Sequence, residues 1–223
     1  MKQEKFYSMT KIKVFAFNPF QVNTYILYDD SGQCVIIDPA CYEDPEKRML
    51  SDFIKNEGLK PLLALNTHCH IDHILGNNFV TKEFNIPLKT HKDSMIFIEN
   101  AKEYALTFGF EIEDSVKPDG YLSDNDIVEY GNQKLKVIHT PGHADGSICF
   151  YNEEEGFLFC GDVLFKAGIG RTDLPTGNYD TLIRNINEKL LVLPASVIVY
   201  PGHGQETTIG SEKRSNPFLS GGM

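Results

Sequence analysis

Thr67-His68-Cys69-His70-Ile71-Asp72-His73 places four side chains able to hold a metal within six residues, a density found nowhere else in the chain. On a regular helix His68 and His70 would point to nearly opposite sides, so the run reads as a loop entering a helix near Asp72 and continuing through Leu75-Gly76-Asn77-Asn78-Phe79. A loop lets all four side chains turn toward one point. The run also follows a short apolar strand, Leu62-Leu63-Ala64-Leu65, and this order recurs later, where Val197-Ile198-Val199-Tyr200 leads into Pro201-Gly202-His203.

Outward from these two strand-to-histidine junctions, the chain shows a repeat, with halves at about 12–78 and 135–205. In the first, a strand Lys13 to Phe17 leads to a hairpin of Thr24 to Tyr28 and Cys34 to Asp38 around the turn Asp29-Asp30-Ser31-Gly32. In the second, Leu135 to Ile138 leads to Ser147 to Tyr151 and then Phe157 to Cys160, ending at Asp162. A helix follows each hairpin, with Met49, Leu50, Phe53 and Ile54 at helical spacing in one and Leu182, Ile183, Ile186 and Leu190 in the other. Asn178 or Asp180 is suited to cap the second helix, and Gly58 to end the first. The apolar strands before His68 and His203 are expected to be covered on both faces. Two such halves predict an α/β fold of αββα sandwich type in one domain spanning 1–223. The stretch 79–131, with helical turns around Ser94 to Phe108 and an acidic run after Glu111, reads as an insertion.

Composition narrows the function. The formal charge of −10, with no local lysine or arginine cluster, opposes contact with a phosphate backbone, so no nucleic-acid partner is expected. No apolar run approaches a membrane span, and the start from Met1 to Lys5 is polar, which together predict a cytoplasmic protein without a membrane partner. Five cysteines in an odd, scattered set argue against a disulfide framework.

Three further candidates follow strand ends, each preceded by glycine: His143 in Pro141-Gly142-His143, Asp162 in Gly161-Asp162, and His203 in Gly202-His203. With His68, His70, Asp72 and His73 they make seven ligands, too many for one tetrahedral ion, so two ions bridged by a carboxylate are expected. Imidazole and carboxylate donors suit zinc first, with iron or manganese as alternatives. His91 and His139 are read as ordinary histidines, and Cys69 is expected to point away from the ligands on either side of it.

On these residues the chain resembles the metallo-β-lactamase superfamily, and within it the short bacterial glyoxalase II-like (hydroxyacylglutathione hydrolase-like) enzymes. THCHIDH is similar to the family's THxHxDH, PGHADGS to its PGHTxGS, FCGD to its xxGD and YPGHG to its closing PGH. The resemblance implies the four-layer αββα sandwich, with His68, His70 and His143 on one metal, Asp72, His73 and His203 on the other, and Asp162 bridging. It further implies a thioesterase that cleaves an acyl-thiol such as S-lactoylglutathione with a metal-bridging hydroxide. Asp72 would orient that hydroxide, and no strong general acid is needed because a thiolate leaves readily. Arg171, in Gly168-Ile169-Gly170-Arg171-Thr172-Asp173, matches a basic position that meets the carboxylate of the thiol carrier. Full-length glyoxalase II has a further helical domain for glutathione, whereas twenty residues follow His203 here, leaving the thiol open. Lactamases of the family lack an aspartate at the position of Asp162. Persulfide dioxygenases share the Gly-Arg-Thr-Asp loop but use one iron, and are the alternative enzyme. A non-catalytic metal-binding or redox-sensing protein would need a further closing ligand.

Overall fold

In the computed structural model, which describes residues 9–219, the chain folds as two six-stranded sheets packed face to face with helices outside. The start of the chain from Met1 to Lys5 lies outside the described residues.

The first half begins with β1 (Lys11–Phe17), β2 (Val22–Tyr28) and β3 (Gln33–Ile37), an antiparallel meander. Helix α1 (Asp44–Asn56) crosses over to β4 (Lys60–Leu65), which lies parallel to β3. Glu43 and Glu46 form a capping box at the start of α1, and Gly58 takes φ +64° just beyond its end. A 13-residue helix is marginal alone; Leu50 and Ile54, buried against the sheet at roughly 1.5–3 kcal/mol each, hold this one in place. Met49, expected on the same stripe, lies about 100° around the helix from Leu50 and is exposed.

After the histidine-rich loop come α2 (Ile71–Ile74), α3 (Asn77–Phe84), β5 (Leu88–Thr90), α4 (Met95–Glu99) and α5 (Ala101–Thr107). Then β6 (Gly120–Tyr121) and β7 (Ile127–Tyr130) precede the second half. The stretch 79–131, read as an insertion, is built into both sheets: β5 and β6 extend the first, and β7 edges the second.

The second half repeats the first. Strands β8 (Gln133–His139), β9 (Ile148–Asn152) and β10 (Phe157–Gly161) form the meander, followed by the small ribbon β11 (Leu164–Phe165) and β12 (Gly168–Ile169). Helix α6 (Tyr179–Asn185), capped by Asn178 and prolonged by one π-turn, crosses to β13 (Ile198–Pro201), parallel to β10. A two-residue edge strand, β14 (Thr207–Thr208), and α7 (Ile209–Ser215) complete the described chain.

Alternation along the strands makes the layers. Tyr25, Leu27, Val35, Ile37 and Leu65 face Val137, Ile148, Phe150, Phe157 and Phe159 between the sheets. Ile26, Cys34, Ile36 and Ala64 point the other way, under α1 and α3, and Cys149, Tyr151, Leu158 and Cys160 lie under α6. The result is the expected α/β/β/α order. All five cysteines are buried and free, and Cys69 turns toward Thr90, away from its histidine neighbours.

The strands before the ligands are less covered than their apolar sequences suggest. Leu62 is the extra residue of a bulge, since Cys34 pairs with Pro61 and Val35 with Leu63, and it faces solvent. Ile198 is also partly exposed, one strand from the sheet edge. What matters for function is the other end of these strands. The carboxyl ends of β3, β4, β10 and β13 open on one rim, where open α/β sheets place their sites.

Candidate metal centre

All seven residues singled out as ligands meet on that rim. His68 and His70 follow β4, with His70 standing just before α2; Asp72 and His73 lie in its first turns. His143 comes from the loop after β8, Asp162 directly follows β10 and His203 follows β13. His68, His70 and His143 bring donor atoms within 4.8 Å of one another, as do Asp72, His73 and His203, and His68, His73 and Asp162 form the link between them. Asp162 stands in the middle: Oδ1 is 3.4 Å from His73 Nε2, while Oδ2 is 3.4 Å from His203 Nε2 and 3.8 Å from His143 Nε2. Asp72 Oδ2 lies 3.3 Å from His203 Nε2.

Close approach is what the glycines permit. A Cβ at Gly202 would collide with Asp162 Oδ1 and stand 2.7 Å from His73 Cε1, and Gly161, at φ +50°, would press into Thr67.

The imidazoles are aimed from behind. His73 Nδ1 meets Asp38 Oδ2 at 3.0 Å, His143 Nδ1 meets the Arg171 carbonyl at 2.8 Å, and His203 Nδ1 meets the Phe20 carbonyl at 2.9 Å. Each contact holds a proton on Nδ1 and leaves Nε2 as the inward donor. Among the described residues four buried side-chain polar atoms have no hydrogen-bond partner, and three of them, His70 Nε2, His73 Nε2 and Asp162 Oδ1, are here. Orphaned donors at a cluster of nitrogen and carboxylate groups fit metal ions, which would satisfy them.

Protonation differs across the site. Burial, reinforced by neighbouring histidines, pushes His68 well below the usual imidazole range and His70 down to about 3; burial also lowers His143. Burial pulls His73 down too, but Asp162, Asp72 and Asp38 outweigh it and raise the group well above its usual value. Burial likewise opposes protonation of His203, yet its hydrogen bonds to Asp162 and Asp72 raise it to about 9. Burial works against the charge on both carboxylates, but His73 and His203 reverse it, lowering Asp72 and bringing Asp162 well below the carboxylate range.

Asp38 was not among the residues singled out in the sequence. Its carboxylate accepts from Thr67 N and Thr67 Oγ1, both at 2.7 Å, besides facing His73, and it tolerates φ +49° while doing so. The repeat held the signal, since Asp38 ends β3 as Asp162 ends β10. Arg171 lies on the rim of an adjoining cavity of about 440 Å³, with its guanidinium in a two-point contact to Asp173 at 2.7 Å per bond. Phe20, Phe97, Tyr104, Phe108, Leu174 and Pro175 also line this cavity, which no sequence pattern announced.

His91 and His139 stack on each other at 4.1 Å, with Asp93 close by. Their rings are parallel within 12°, so their lone pairs run side by side instead of converging, and His139 Nε2 bonds the Asp145 carbonyl. This pair clasps the loop that carries His143.

The sequence profile described as Metallo-beta-lactamase superfamily matches residues 17–203. The chain belongs to this superfamily. Its relatives include the probable metallo-hydrolase YqgX of Bacillus subtilis, 39% identical over 91% of this chain and 94% of that protein. Another is the hydroxyacylglutathione hydrolase GloC of Haemophilus influenzae, 38% identical over 94% and 98%. Among solved structures, the BLEG-1 B3 metallo-beta-lactamase superposes with a TM-score of 0.87 at 39% identity, covering 95% of this chain and all of that one. A di-iron-bound form of TTHA1623 gives 0.83 at 33% identity, covering 93% and 100%. ETHE1 from Myxococcus xanthus gives 0.76 at 26%, covering 96% and 86%. Members of the superfamily are metal-dependent hydrolases, and this chain carries His/Asp clusters able to hold metal. Among the described residues no helix is long and apolar enough to cross a membrane.

Proposed function

We propose that the protein is a two-metal thioesterase, in which His68, His70 and His143 would hold one divalent ion, Asp72, His73 and His203 would hold a second, and Asp162 would serve both. The observation carrying this reading is Asp162, whose two oxygens face histidines of both groups while one of them lacks any hydrogen-bond partner. Zinc or iron suits the donor set, and the di-iron form of TTHA1623 supports iron as an occupant of such a site. The ions, when bound, supply an activated water and a Lewis acid for the carbonyl oxygen.

The chain does the rest. Asp72, kept ionised by His73 and His203, accepts a hydrogen bond from the attacking water at the cavity floor and orients it. Water adds to the thioester carbonyl carbon, the C–S bond breaks and its electron pair leaves with sulfur; one proton of the water ends on that sulfur and the other passes to solvent, giving a carboxylate and a thiol. A thiolate with an ordinary pKa of about 8.5 leaves without a strong acid beside it. The likeness to GloC supports an acyl-thiol.

Protein loaded with zinc, iron or manganese should hold close to two ions per chain and release thiol from S-lactoylglutathione or another acyl-thiol. The same preparation given a β-lactam tests the reading that the BLEG-1 likeness brings, and given glutathione persulfide under oxygen-electrode recording it tests the one that ETHE1 brings. One tightly held iron, oxygen uptake with the persulfide and no thiol from any thioester would overturn the thioesterase.

A further inference from the structure

The cavity beside the metal centre is walled mainly by carbon. Phe20 and Phe108 meet edge to face at its mouth, their ring centroids 5.7 Å apart, and both are more than two-fifths exposed. Phe97, which is buried, packs against His70 with 4.7 Å between ring centroids, and Leu174 and Pro175 also line the cavity. A volume of about 440 Å³ falls in the roughly 300–1,000 Å³ range that accepts a small organic molecule. An exposed aromatic pair at a site's mouth is apolar surface kept from the core for contact with something else.

The charges lining this cavity point the same way. Among its described lining residues Arg171 is the one lysine or arginine, and its Nε and one terminal nitrogen are bonded to the two oxygens of Asp173. Two parallel charge-assisted bonds between planar groups form the strongest arrangement open to a guanidinium. Both partners are exposed, so the pair is screened by solvent, and a carboxylate of an incoming thiol would compete with Asp173 for the guanidinium. Glutathione carries two carboxylates, and no second lysine or arginine in the described lining awaits the other.

Resting on the thioesterase reading, we propose that the preferred substrates are thioesters bearing an uncharged, apolar or aromatic group that lies on Phe20, Phe97 and Phe108, and that Asp173 disfavours dicarboxylate thiols such as glutathione by engaging Arg171. Asp173 is thus a specificity residue acting through Arg171. Arg171 in turn serves the metal centre through its main chain, where its carbonyl holds His143.

The test compares kcat/KM of the metal-loaded protein for acetyl and phenylacetyl thioesters, each made with N-acetylcysteamine and with glutathione. The phenylacetyl ester of N-acetylcysteamine should be cleaved about tenfold more efficiently than its acetyl counterpart, the scale of burying a ring. At equal acyl group, N-acetylcysteamine should match or exceed glutathione. Phe108→Ala, at an exposed position whose loss leaves the core intact, should erase most of the phenylacetyl preference. Asp173→Asn should lower KM for the glutathione esters several-fold and change the N-acetylcysteamine esters little, a selective gain that a merely structural aspartate would not produce.

A binding arm separates the two proposals. Calorimetry with the S-benzyl thioethers of N-acetylcysteamine and of glutathione reads the cavity without any bond being cleaved, and the neutral ligand should bind at least as tightly. Thiol release that favours glutathione at equal acyl group, or tighter binding of the glutathione thioether, overturns this inference and leaves the thioesterase standing. No thiol release from any ester, with the neutral thioether still preferred, removes the thioesterase and keeps the chemistry assigned to the cavity.

Discussion

The two ligand groups of the centre are built on opposite electrostatic plans. His68, His70 and His143 are three imidazoles crowded together with no carboxylate of their own; burial and mutual repulsion strip them of protons, so they are neutral donors before any ion arrives. Asp72, His73 and His203 form a network in which the histidines keep their protons as counter-ions to Asp72, Asp162 and Asp38. A cation entering the first group meets unprotonated imidazoles, whereas one entering the second must replace protons. The lesson is that ligand identity alone does not define a half-site. In the second group the protons balance the acids, and in the first burial keeps the imidazoles uncharged.

The comparison breaks most severely where the groups join. Asp162→Ala should remove the shared carboxylate and leave His73 with only Asp72 and Asp38, and His203 with only Asp72, as counter-charge. Metal content should fall at both positions, and activity should fall by more than the roughly 10²–10³-fold that loss of one electrostatic stabiliser costs. Metal analysis beside thiol release checks this, and two retained ions would show that Asp162 belongs to neither group.

Asp38→Asn should act unequally on the two groups. It removes the charge that faces His73 Nδ1 directly and reaches His68 only through Thr67 Oγ1, so one ion should weaken by about 10–100-fold and the other by clearly less. Metal competition against a graded chelator reads the two affinities, and an equal loss from both would erase the distinction drawn here.

Acid should separate the groups in the unaltered protein. His203, raised to about 9, holds a proton at neutral pH, so each fall in pH below about 9 makes that proton harder to displace and weakens the Asp72 group. His70, at about 3, is already unprotonated across this range, and its group should lose nothing until far lower pH. Dialysis of loaded protein from pH 8 to pH 5 should therefore release one equivalent well before the other. Parallel loss of both equivalents would count against the assignment of protons.

The smallest effect is expected at His139. His139→Ala removes the clasp on the Asp145 carbonyl and the stacking on His91 but no ligand, so metal content should stay near that of the unaltered protein. Activity should fall by no more than a few-fold, the scale of one lost hydrogen bond of about 1 kcal/mol. Metal loss equal to that of Asp162→Ala would place His139 inside the centre.

Some of this was legible before folding, because the features concerned are local. A strand that ends in glycine and then a histidine or aspartate declares itself in a few residues, and the repetition of hairpin, helix and strand shows which ends share a rim. His68, His70, Asp72, His73, His143, Asp162 and His203 are therefore readable as candidates from order and spacing, whereas which strand residues face inward, such as Leu27 and Phe159, and which outward, such as Ile36 and Leu158, came from the fold. Tertiary structure decided whatever depends on residues far apart in sequence or too weakly patterned to declare an element. Stretch 79–131 looked like an insertion because β5, β6 and β7 are two to four residues long, too short for alternation to register, yet they complete both sheets. Asp38 became a support for His73 only when β3 and α2 met. Arg171, legible as a cation, proved to be paired, because the turn that presents it also folds Asp173 back onto its guanidinium.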